Sequence, residues 1–427
     1  MDPNRKTAFA ALYDVEEKQA YSNIALNHQI IIGSPTSPAF VRELVYGVLE
    51  NKIFLDYIIG KLVPSGLSKV KKKDLVVLEM GIYQLRFMDS VPEYAAVNES
   101  VELARKYCKG RESFVNAVLR NYLRKKDEFA LPDKDEDLVR HLSVKYSYEP
   151  WIVKLWLAQY RPEFVEELLA AGNETPPLTL RINTLKIGKY ELLEKLVERG
   201  ADAEPGKLCD NAVCVKTAGN VLESQLYRNG FFSVQDESSM MAAAAVDPQP
   251  GETVMDVCAA PGGKTFAMAE RMKNQGVIYS SDIYPRKLGL INAEAGRLGI
   301  SIVKTKARDA AMADPEMKEK ADRVLADVPC SGLGVIRRKP EIKYKKWTKE
   351  FQQLPKKQLE ILNAASTYVK PGGVLVYSTC TISAAENQEI INAFLTDHPG
   401  FKRDEMIQLL PNVNQTDGFF ICRMKKN

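Results

Sequence analysis

Apolar residues recur at two different spacings along the chain, and the change of spacing divides it into parts. From about residue 3 to residue 130 they follow a helical period, as within 40–49 and 113–123. From about residue 250 onward, short apolar runs alternate with amphipathic segments, which is typical of strand–loop–helix units. The pattern therefore predicts a helical first part and a parallel, doubly wound sheet in the last part.

The region between these two parts mixes helices with short strands, and strand candidates lie at 178–183 and 230–234. In the last part, the pattern predicts strands at 253–257, 277–281, 302–305, 323–326 and 374–378, and helices at 264–273, 285–298 and 355–369. A Pro- and Asp-rich junction at 131–137 marks one boundary. We expect three domains, a helical one at 1–135, an α+β segment at 136–235 and an α/β domain at 236–427.

The overall composition excludes several classes of protein. The chain has 427 residues, of which 45% are hydrophobic and 27% charged, as in ordinary folded proteins. Its net charge of +4 is too small for a uniformly cationic surface, so any binding of nucleic acid must depend on local basic patches. No signal-peptide core is evident, and no apolar stretch approaches the roughly 20 residues that span a bilayer. We expect a cytoplasmic protein that makes no membrane contact and is a monomer.

Seven cysteines and three histidines could in principle form a metal site or disulfides. No two cysteines form a Cys-x-x-Cys motif, and the nearest pair, Cys209 and Cys214, has four residues between its members. His28, His141 and His398 are scattered, so the spacing predicts no metal site. An odd number of cysteines in a reducing compartment also disfavours a disulfide framework.

A glycine-containing loop lies between a predicted strand and a predicted helix. It reads Asp256-Val257-Cys258-Ala259-Ala260-Pro261-Gly262-Gly263-Lys264-Thr265. A dinucleotide fingerprint requires G-x-G-x-x-G, and a phosphate-binding loop requires glycine where Cys258 stands. The remaining interpretation is a methyl-donor loop, in which small residues leave room for a methionine moiety and the helix N-terminus faces its carboxylate.

Acidic residues follow successive predicted strands and are therefore expected at one edge of the sheet. Asp282 ends the second strand, 26 positions after Asp256 (282 − 256), close to the ~20-residue offset of a carboxylate that binds a ribose. Asp309 and Asp327 follow the third and fourth strands. An adenosyl ligand needs such acceptors for its hydroxyls and amine, so these residues favour S-adenosylmethionine as the cofactor.

Cys330 and Cys380 each follow a predicted strand and lie beside glycine or hydroxyl residues. Position alone leaves a catalytic thiol and a packing role equally open. A thiolate that adds to C6 of a cytosine makes C5 nucleophilic enough to accept a methyl group, and a second group must then manage the elimination. Lys264 is a candidate for the charge that activates a thiol, and Asp327 for holding the edge of the base.

These motifs together resemble those of the bacterial ribosomal RNA cytosine-C5 methyltransferases of the RsmB/Sun (Fmu) type. The catalytic motifs that carry the resemblance are 258–264, 327–332 and Ser378-Thr379-Cys380. Residues 40–47 and 113–120 are similar to the NusB-like RNA-binding domain that is fused to this subgroup. Residues 181–184 and 234–238 are similar to the family's pre-catalytic RNA-binding segment, so the resemblance covers nearly the whole chain.

The resemblance implies an all-α NusB-like domain, a small α+β RNA-binding segment and a Rossmann-like, S-adenosylmethionine-dependent methyltransferase domain. It implies that Cys380 is the nucleophile and Cys330 acts in product release, on a cytosine of small-subunit (16S) ribosomal RNA. The residues that it implies for cofactor binding are Cys258, Ala259, Ala260, Pro261, Gly262, Gly263, Lys264, Asp282, Asp309 and Asp327.

Two basic segments are candidates for RNA contact. Basic residues between 105 and 126 could form a phosphate-binding surface or simply a solvated helix face. The segment 337–347 carries six basic residues, one acid and two aromatic residues just after Cys330, and we expect it to contact RNA. Two alternatives remain open, the same reaction on transfer RNA and a non-catalytic RNA-binding factor. Retention of both cysteines and of the full glycine loop disfavours the second.

Overall fold

The computed structural model describes residues 1–18, 20–217 and 221–427, and the chain divides into two compact units. The first unit comprises Met1–Glu174 and Ile336–Lys346, and the second comprises Thr175–Val335 and Trp347–Asn427. The three domain ranges expected from the sequence remain a prediction.

The first unit is built from helices, as the apolar spacing predicts. They are α1 (Pro3–Lys18), α2 (Ser22–Gly33), α3 (Pro38–Glu50), α4 (Lys52–Leu62), α5 (Lys72–Phe87), α6 (Glu93–Tyr107), α7 (Glu112–Lys125), α8 (Leu138–Tyr146), α9 (Pro150–Leu157) and α10 (Pro162–Ala171). One apolar cluster joins α1 to α8 and includes Val41, Leu44, Leu78 and Leu119, all fully buried. The helical period in the sequence therefore corresponds to the buried face of each helix.

The segment Ile336–Lys346 belongs to the first unit, although it follows the Cys330 loop in sequence. The side chain of Lys343 is fully buried, and its Nζ donates to the backbone carbonyls of Glu50 (2.9 Å) and Tyr146 (3.2 Å). The hydroxyl of Tyr344 donates to the carbonyl of Leu49. The expectation that this whole segment contacts RNA is therefore wrong for Lys343, because its ammonium group is used inside the protein.

The second unit contains a small antiparallel sheet with strands β1 (Leu178–Ile182), β2 (Asp202–Pro205), β3 (Ala212–Thr217) and β4 (Phe232–Val234) in the order β2-β3-β1-β4. The helices α11 (Lys189–Val197) and α12 (Gln225–Arg228) accompany it. Leu180, Ile182, Leu192 and Phe232 form its buried core. Both strand candidates predicted in this region are confirmed.

A larger sheet of seven strands follows, in the order β10-β11-β9-β8-β5-β6-β7. Its strands are β5 (Thr253–Asp256), β6 (Val277–Asp282), β7 (Val303–Ala307), β8 (Ala321–Asp327), β9 (Val369–Thr379), β10 (Phe401–Leu409) and β11 (Phe419–Lys426). The five predicted strands are confirmed and pair in parallel. The sequence did not predict β10 and β11, which form an antiparallel hairpin that extends the parallel part of the sheet beside β9.

Successive residues of the central strands point to opposite faces of this sheet, and each face has its own core. Val254, Leu325 and Val376 lie in one apolar cluster, whereas Met255 and Val324 lie in the other. The helices of this part are α13 (Glu237–Val246), α14 (Gly263–Arg271), α15 (Pro285–Leu298), α16 (Lys349–Ser366), α17 (Gln388–Asp397) and α18 (Pro411–Asn414). Residues of α13, α14 and α15 contribute to the first cluster, and residues of α16 and α17 to the second. This arrangement confirms the predicted Rossmann-like α/β fold.

One helix begins earlier than the sequence predicts. The sequence pattern predicted a helix over residues 355–369. α16 instead begins at Lys349, because the side chain of Thr348 caps it by accepting a hydrogen bond from the backbone N–H of Phe351. Within the ranges that the structure describes, no helix has the length and apolar character needed to cross a membrane, and no group of three or more potential ligands is placed to hold a metal ion.

Candidate functional site

The parallel strands bring most of the predicted functional residues to one edge of the larger sheet. β5, β6 and β8 end at Asp256, Asp282 and Asp327, and β9 ends directly before Cys380. Because these four strands run in the same direction, their carboxyl ends share an edge. The strand ends predicted from the sequence therefore correctly placed these polar side chains at one edge of the larger sheet.

The glycine loop connects β5 to α14 by a tight turn. The N–H of Ala259 donates to the carbonyl of Ser281 (2.8 Å), and the N–H of Gly262 donates to the carbonyl of Ala259 (2.7 Å). Gly262 has φ +109°, and a Cβ at this position would lie 2.6 Å from the Phe266 ring. Both the backbone conformation and the lack of space therefore require glycine here.

A cavity of about 250 Å³ opens at the ends of β5, β6 and β7. It is lined by Val257, Cys258, Asp282, Ile283, Tyr284, Lys287, Arg308, Asp309, Ala310, Pro329, Lys357 and Ile361. Three of the predicted cofactor residues, Cys258, Asp282 and Asp309, thus border one space. Its two carboxylates can accept hydrogen bonds from hydroxyl or amine groups, and its apolar side chains can contact a flat ring.

Sequence reasoning missed several residues that line this cavity. Tyr284 and Lys287 follow Asp282 closely, and Arg308 directly precedes Asp309. Because all three come shortly after the end of a strand, their positions in the sequence could have indicated that they line the cavity. Lys357 comes from α16, where no local motif marks it. Only the packing of α16 against the sheet brings this residue to the cavity.

Two thiols from different loops lie in direct contact. The Sγ atoms of Cys330 and Cys380 are 3.2 Å apart, a distance at which either thiol can donate a hydrogen bond to the other. Both side chains are half-buried. The hydrogen bond to Cys380, burial and the negative charge of Glu386 all raise the pKa of the Cys330 thiol well above its usual value. These surroundings favour the protonated form of Cys330.

Lys264 and Asp327 form an ion pair at the same edge. The Nζ of Lys264 lies 2.7 Å from Oδ2 of Asp327, and the hydroxyl of Ser378 donates to Oδ1 (2.8 Å). Burial alone would lower the pKa of Lys264, but Asp327 and, to a smaller extent, Cys380 and Asp256 raise it above the usual value. Lys264 is therefore a cation within electrostatic range of the Cys380 thiol.

The two cysteine loops are also joined by their neighbouring residues. The hydroxyls of Ser331 and Thr381 share a hydrogen bond of 2.6 Å, and the N–H of Gly334 donates to the carbonyl of Cys380 (3.0 Å). A Cβ at Gly334 would lie 1.8 Å from the carbonyl oxygen of Gly418, so the chains approach there as closely as glycine permits.

Arg181 connects the small sheet to the glycine loop. Its side chain is fully buried and donates from Nη1 to the carbonyl of Gly263 (2.6 Å) and to the side chain of Gln235, which is also buried. From the sequence, both residues fell within segments assigned to RNA binding. That role is wrong for these two side chains, because each is enclosed and hydrogen-bonded within the protein.

Family models match three successive parts of the chain. The 16S rRNA methyltransferase RsmB/F model matches residues 243–425, and the NusB family model matches residues 2–124. The RsmF/B-like ferredoxin-like domain model matches residues 148–222. The three matches agree with the helical, small-sheet and Rossmann-like parts of the fold.

Individual relatives are similar over the full length. The probable ribosomal RNA small subunit methyltransferase B of Bacillus subtilis (strain 168) is 40% identical over 445 residues, covering 99% of this chain and 98% of the relative. Ribosomal RNA small subunit methyltransferase B of Klebsiella pneumoniae subsp. pneumoniae is 33% identical over 437 residues, with 99% and 98% covered. The crystal structure of PH0851 superposes with a TM-score of 0.85 at 27% identity, covering 100% of this chain and 99% of that one.

The fold, the motifs and these relatives together define an RNA methyltransferase. More particularly, the chain belongs to the RsmB/F family of 16S rRNA methyltransferases, in the subgroup with an N-terminal NusB-like domain. The family resemblance inferred from the motifs is thereby confirmed.

Proposed function

We propose that this protein transfers a methyl group from S-adenosylmethionine to C5 of a cytosine in 16S ribosomal RNA, with Cys380 as the nucleophile and Cys330 assisting product release. The observation that carries the proposal is the 3.2 Å contact between the two thiols. Two cysteines from separate strand ends meet where the reaction needs one nucleophile and one further proton-transferring group.

The residues around the cavity fit the proposed cofactor. Asp282 and Asp309 supply acceptors for ribose hydroxyls and an adenine amine, and Tyr284 supplies an aromatic surface. Gly262 and Gly263 keep the loop free of side chains at the N-terminus of α14, where a carboxylate is stabilised. When bound, the cofactor supplies an electrophilic methyl group. Cys258 lines the space, and Lys264 and Asp327 extend the site toward the thiols.

The surroundings of the two thiols support Cys380 as the attacking group. Lys264 lies near Cys380, and a nearby cation stabilises a thiolate. Glu386 and the contact with Cys380 favour the protonated form of Cys330, so Cys330 can donate its S–H to the Cys380 thiolate. We therefore propose that Cys330 keeps its proton while Cys380 attacks.

The proposed reaction balances with these groups. The Cys380 sulfur forms a bond to C6 of the cytosine, and the ring gains electron density at C5, which takes the methyl group. A base then removes the proton at C5, the C5–C6 double bond re-forms, and the bond between C6 and sulfur breaks. Asp327, held by Lys264 and Ser378, can accept a hydrogen bond from the exocyclic amine of the base. Cys330 takes part in the release step.

The N-terminal helices support RNA as the substrate. The first unit matches the NusB family, and Arg105, Lys106, Arg120 and Arg124 on α6 and α7 are exposed. We infer that these residues contact phosphates of a folded RNA, from which the target cytosine is turned into the pocket. A ribosomal RNA substrate would place the reaction in the cytoplasm.

The direct test is incubation of the protein with labelled S-adenosylmethionine and unmodified 16S ribosomal RNA, followed by bisulfite mapping of 5-methylcytosine. A parallel reaction contains transfer RNA at the same concentration. We expect label at one cytosine of 16S ribosomal RNA and none in transfer RNA. Label only in transfer RNA would refute the substrate, and methylation at an atom other than C5 would refute the chemistry.

A further inference from the structure

Two consecutive residues, Glu386 and Asn387, lie between β9 and α17 and directly precede the helix. Both side chains are buried. Buried polar side chains are stable only when their hydrogen bonds are satisfied, so their partners show what these residues do. Each of the two contacts a different cysteine loop.

Glu386 holds the loop that carries Cys330. Its Oε2 accepts a hydrogen bond from the backbone N–H of Ser331 (2.8 Å) and another from Nε2 of Gln358 (2.9 Å). The same Nε2 donates to the carbonyl of Pro329 (3.0 Å). The residues on both sides of Cys330 are therefore fixed, one directly by the carboxylate and the other through Gln358.

Asn387 holds the loop that carries Cys380 in the same manner. Its Oδ1 accepts a hydrogen bond from the hydroxyl of Thr379 (2.5 Å), and its Nδ2 donates to the carbonyl of Thr381 (3.0 Å). Nδ2 also donates to Oε1 of Gln408 on β10 (2.9 Å). The residues on both sides of Cys380 are thus fixed by one amide group.

The two residues that hold the cysteine loops, Glu386 and Asn387, are therefore joined by a single peptide bond. Adjacent Cα atoms across a trans peptide lie about 3.8 Å apart, so the two side chains cannot separate without a change in the backbone. We propose that Glu386 and Asn387 are positioning residues that set the distance between Cys330 and Cys380, Glu386 acting on the Cys330 loop and Asn387 on the Cys380 loop. The assignment rests on the proposed two-thiol reaction and adds residues that do not touch the substrate.

The two residues are expected to affect different steps of that reaction. Glu386→Ala frees the Cys330 loop, so a covalent RNA–protein adduct should form and persist. Asn387→Ala frees the Cys380 loop, so adduct formation itself should slow by on the order of tenfold to a hundredfold, because a small misplacement of a reacting atom is costly. In both variants the Kd for the cofactor, measured without RNA, should stay near that of the wild type. A role in folding alone would not divide the two steps in this way.

The distance between the thiols can be measured without RNA or cofactor. Diamide accepts two electrons and two protons from a pair of nearby thiols, which become a disulfide while diamide becomes the hydrazine. Peptide mapping by mass spectrometry then gives the rate at which the Cys330–Cys380 disulfide forms. We expect fast cross-linking in the wild type and at least about tenfold slower cross-linking in Glu386→Ala and Asn387→Ala. Glu386→Gln keeps an acceptor for the Ser331 N–H and should remain close to the wild type.

Matched controls come from the same helix. Glu389 and Asn392 are exposed on α17, so Glu389→Gln and Asn392→Ala should cross-link and methylate as the wild type does. Circular dichroism spectra identify any variant that fails to fold. If Glu386→Ala is one of them, Gln358→Ala takes its place, because this change removes the donor to both Glu386 and the carbonyl of Pro329. Wild-type cross-linking rates in folded Glu386→Ala and Asn387→Ala would overturn the positioning role. The two-thiol reaction would instead be overturned by a Cys380→Ala variant that still methylates RNA, so the two failures are distinguishable.

Discussion

Arg181 and Glu270 form a fully enclosed ion pair between the small sheet and α14. Nε of Arg181 lies 3.0 Å from Oε2 of Glu270, and Nη2 lies 3.0 Å from Oε1. The remaining nitrogen, Nη1, donates to the carbonyl of Gly263 at the start of α14. A residue of the small sheet thus holds the first turn of α14, the helix that follows the glycine loop.

We predict that Arg181→Met weakens binding of S-adenosylmethionine by about tenfold or more, since the loss of a charge-assisted hydrogen bond costs on the order of 1.5–3 kcal/mol. The variant should also lose stability, because Glu270 is left buried without its partner. Isothermal titration calorimetry with the cofactor measures the first effect, and urea unfolding measures the second.

A double variant separates the two effects. Arg181→Met/Glu270→Met removes both buried charges, so stability should return toward the wild type. The hydrogen bond to Gly263 is still missing, so cofactor affinity should stay low. Arg297→Met is the matched control, because Arg297 on α15 also donates to residues of the small sheet and its helix, Tyr227 and Ser233, but does not contact the glycine loop. Normal affinity in the double variant would contradict the proposed link between Arg181 and the loop.

The two cysteines should give different phenotypes when each is replaced by alanine. Cys380→Ala removes the proposed nucleophile, so methylation should fall by about 10⁴-fold or more. Cys330→Ala should retain attack but impair release, so an RNA–protein adduct that survives denaturing gels should accumulate. Cys214→Ala is the control, since this half-buried cysteine lies in the small sheet. The reverse pattern, with the adduct in Cys380→Ala, would exchange the two roles.

The sequence predicted the central strands β5, β8 and β9 well because each contains a short apolar run that is buried on both faces of the sheet. It missed the hairpin of β10 and β11 for the opposite reason. β10 carries Lys402, Arg403, Asp404 and Glu405 in succession, and these exposed residues obscure the strand period. Charged residues of this kind are typical of a strand at the edge of a sheet, which is where β10 lies.

The candidate site was predictable where its residues follow strands, and unpredictable where its residues are brought together by long-range packing. Cys330, Cys380 and Asp282 each follow an apolar run, so the hydrophobic pattern is sufficient to place all three at one edge of the sheet. Lys343 shows the limit of the same approach. Its neighbours are basic and aromatic, as in an RNA-binding loop, but its ammonium group lies against helix ends that are about 200 and 300 residues away in sequence.

Lys343 gives a prediction for the first unit. Burial lowers the pKa of its ammonium group from 10.5 to about 7, against the opposing effect of Glu50. Between these pH values the unfolded chain binds a proton that the folded state lacks, so this group makes stability rise with pH. Lys343→Met should therefore raise the free energy of unfolding most, relative to the wild type, at pH 7 and below. The difference between the two proteins should shrink toward pH 10. Unfolding followed by tryptophan emission measures this, because Trp151 and Trp156 lie in the first unit.

The control for Lys343 is Lys345→Met, a change to the second neighbour on the same segment, whose side chain is only partly buried. It should shift the unfolding midpoint by a similar amount at every pH. A difference between Lys343→Met and wild type that is independent of pH would show that Lys343 stays charged in the folded protein, and the assignment would then be wrong.

Asp256 gives the opposite slope in the second unit. It is buried at the end of β5, and its Oδ2 accepts a hydrogen bond from the Thr265 hydroxyl (2.7 Å). Within the part of the chain that the structure describes, Oδ1 has no hydrogen-bond partner. Burial, with a smaller contribution from Asp327, raises its pKa from 3.8 to about 7, although Thr265 and Lys264 oppose the shift.

Between pH 3.8 and about 7 the folded state therefore holds a proton that the unfolded chain has lost. Stability from this group falls as pH rises through that window, by about 1.4 kcal/mol per pH unit at most. Asp256→Asn keeps the acceptor for Thr265 and removes the ionisable group. The stability of this variant relative to the wild type should therefore increase from pH 5 to pH 8. Hydrogen exchange in peptides from β5 and α14 measures the local stability. Asp397→Asn, at an exposed position on α17, should show no such growth, and a constant difference for Asp256→Asn would mean that Asp256 is already ionised at pH 5.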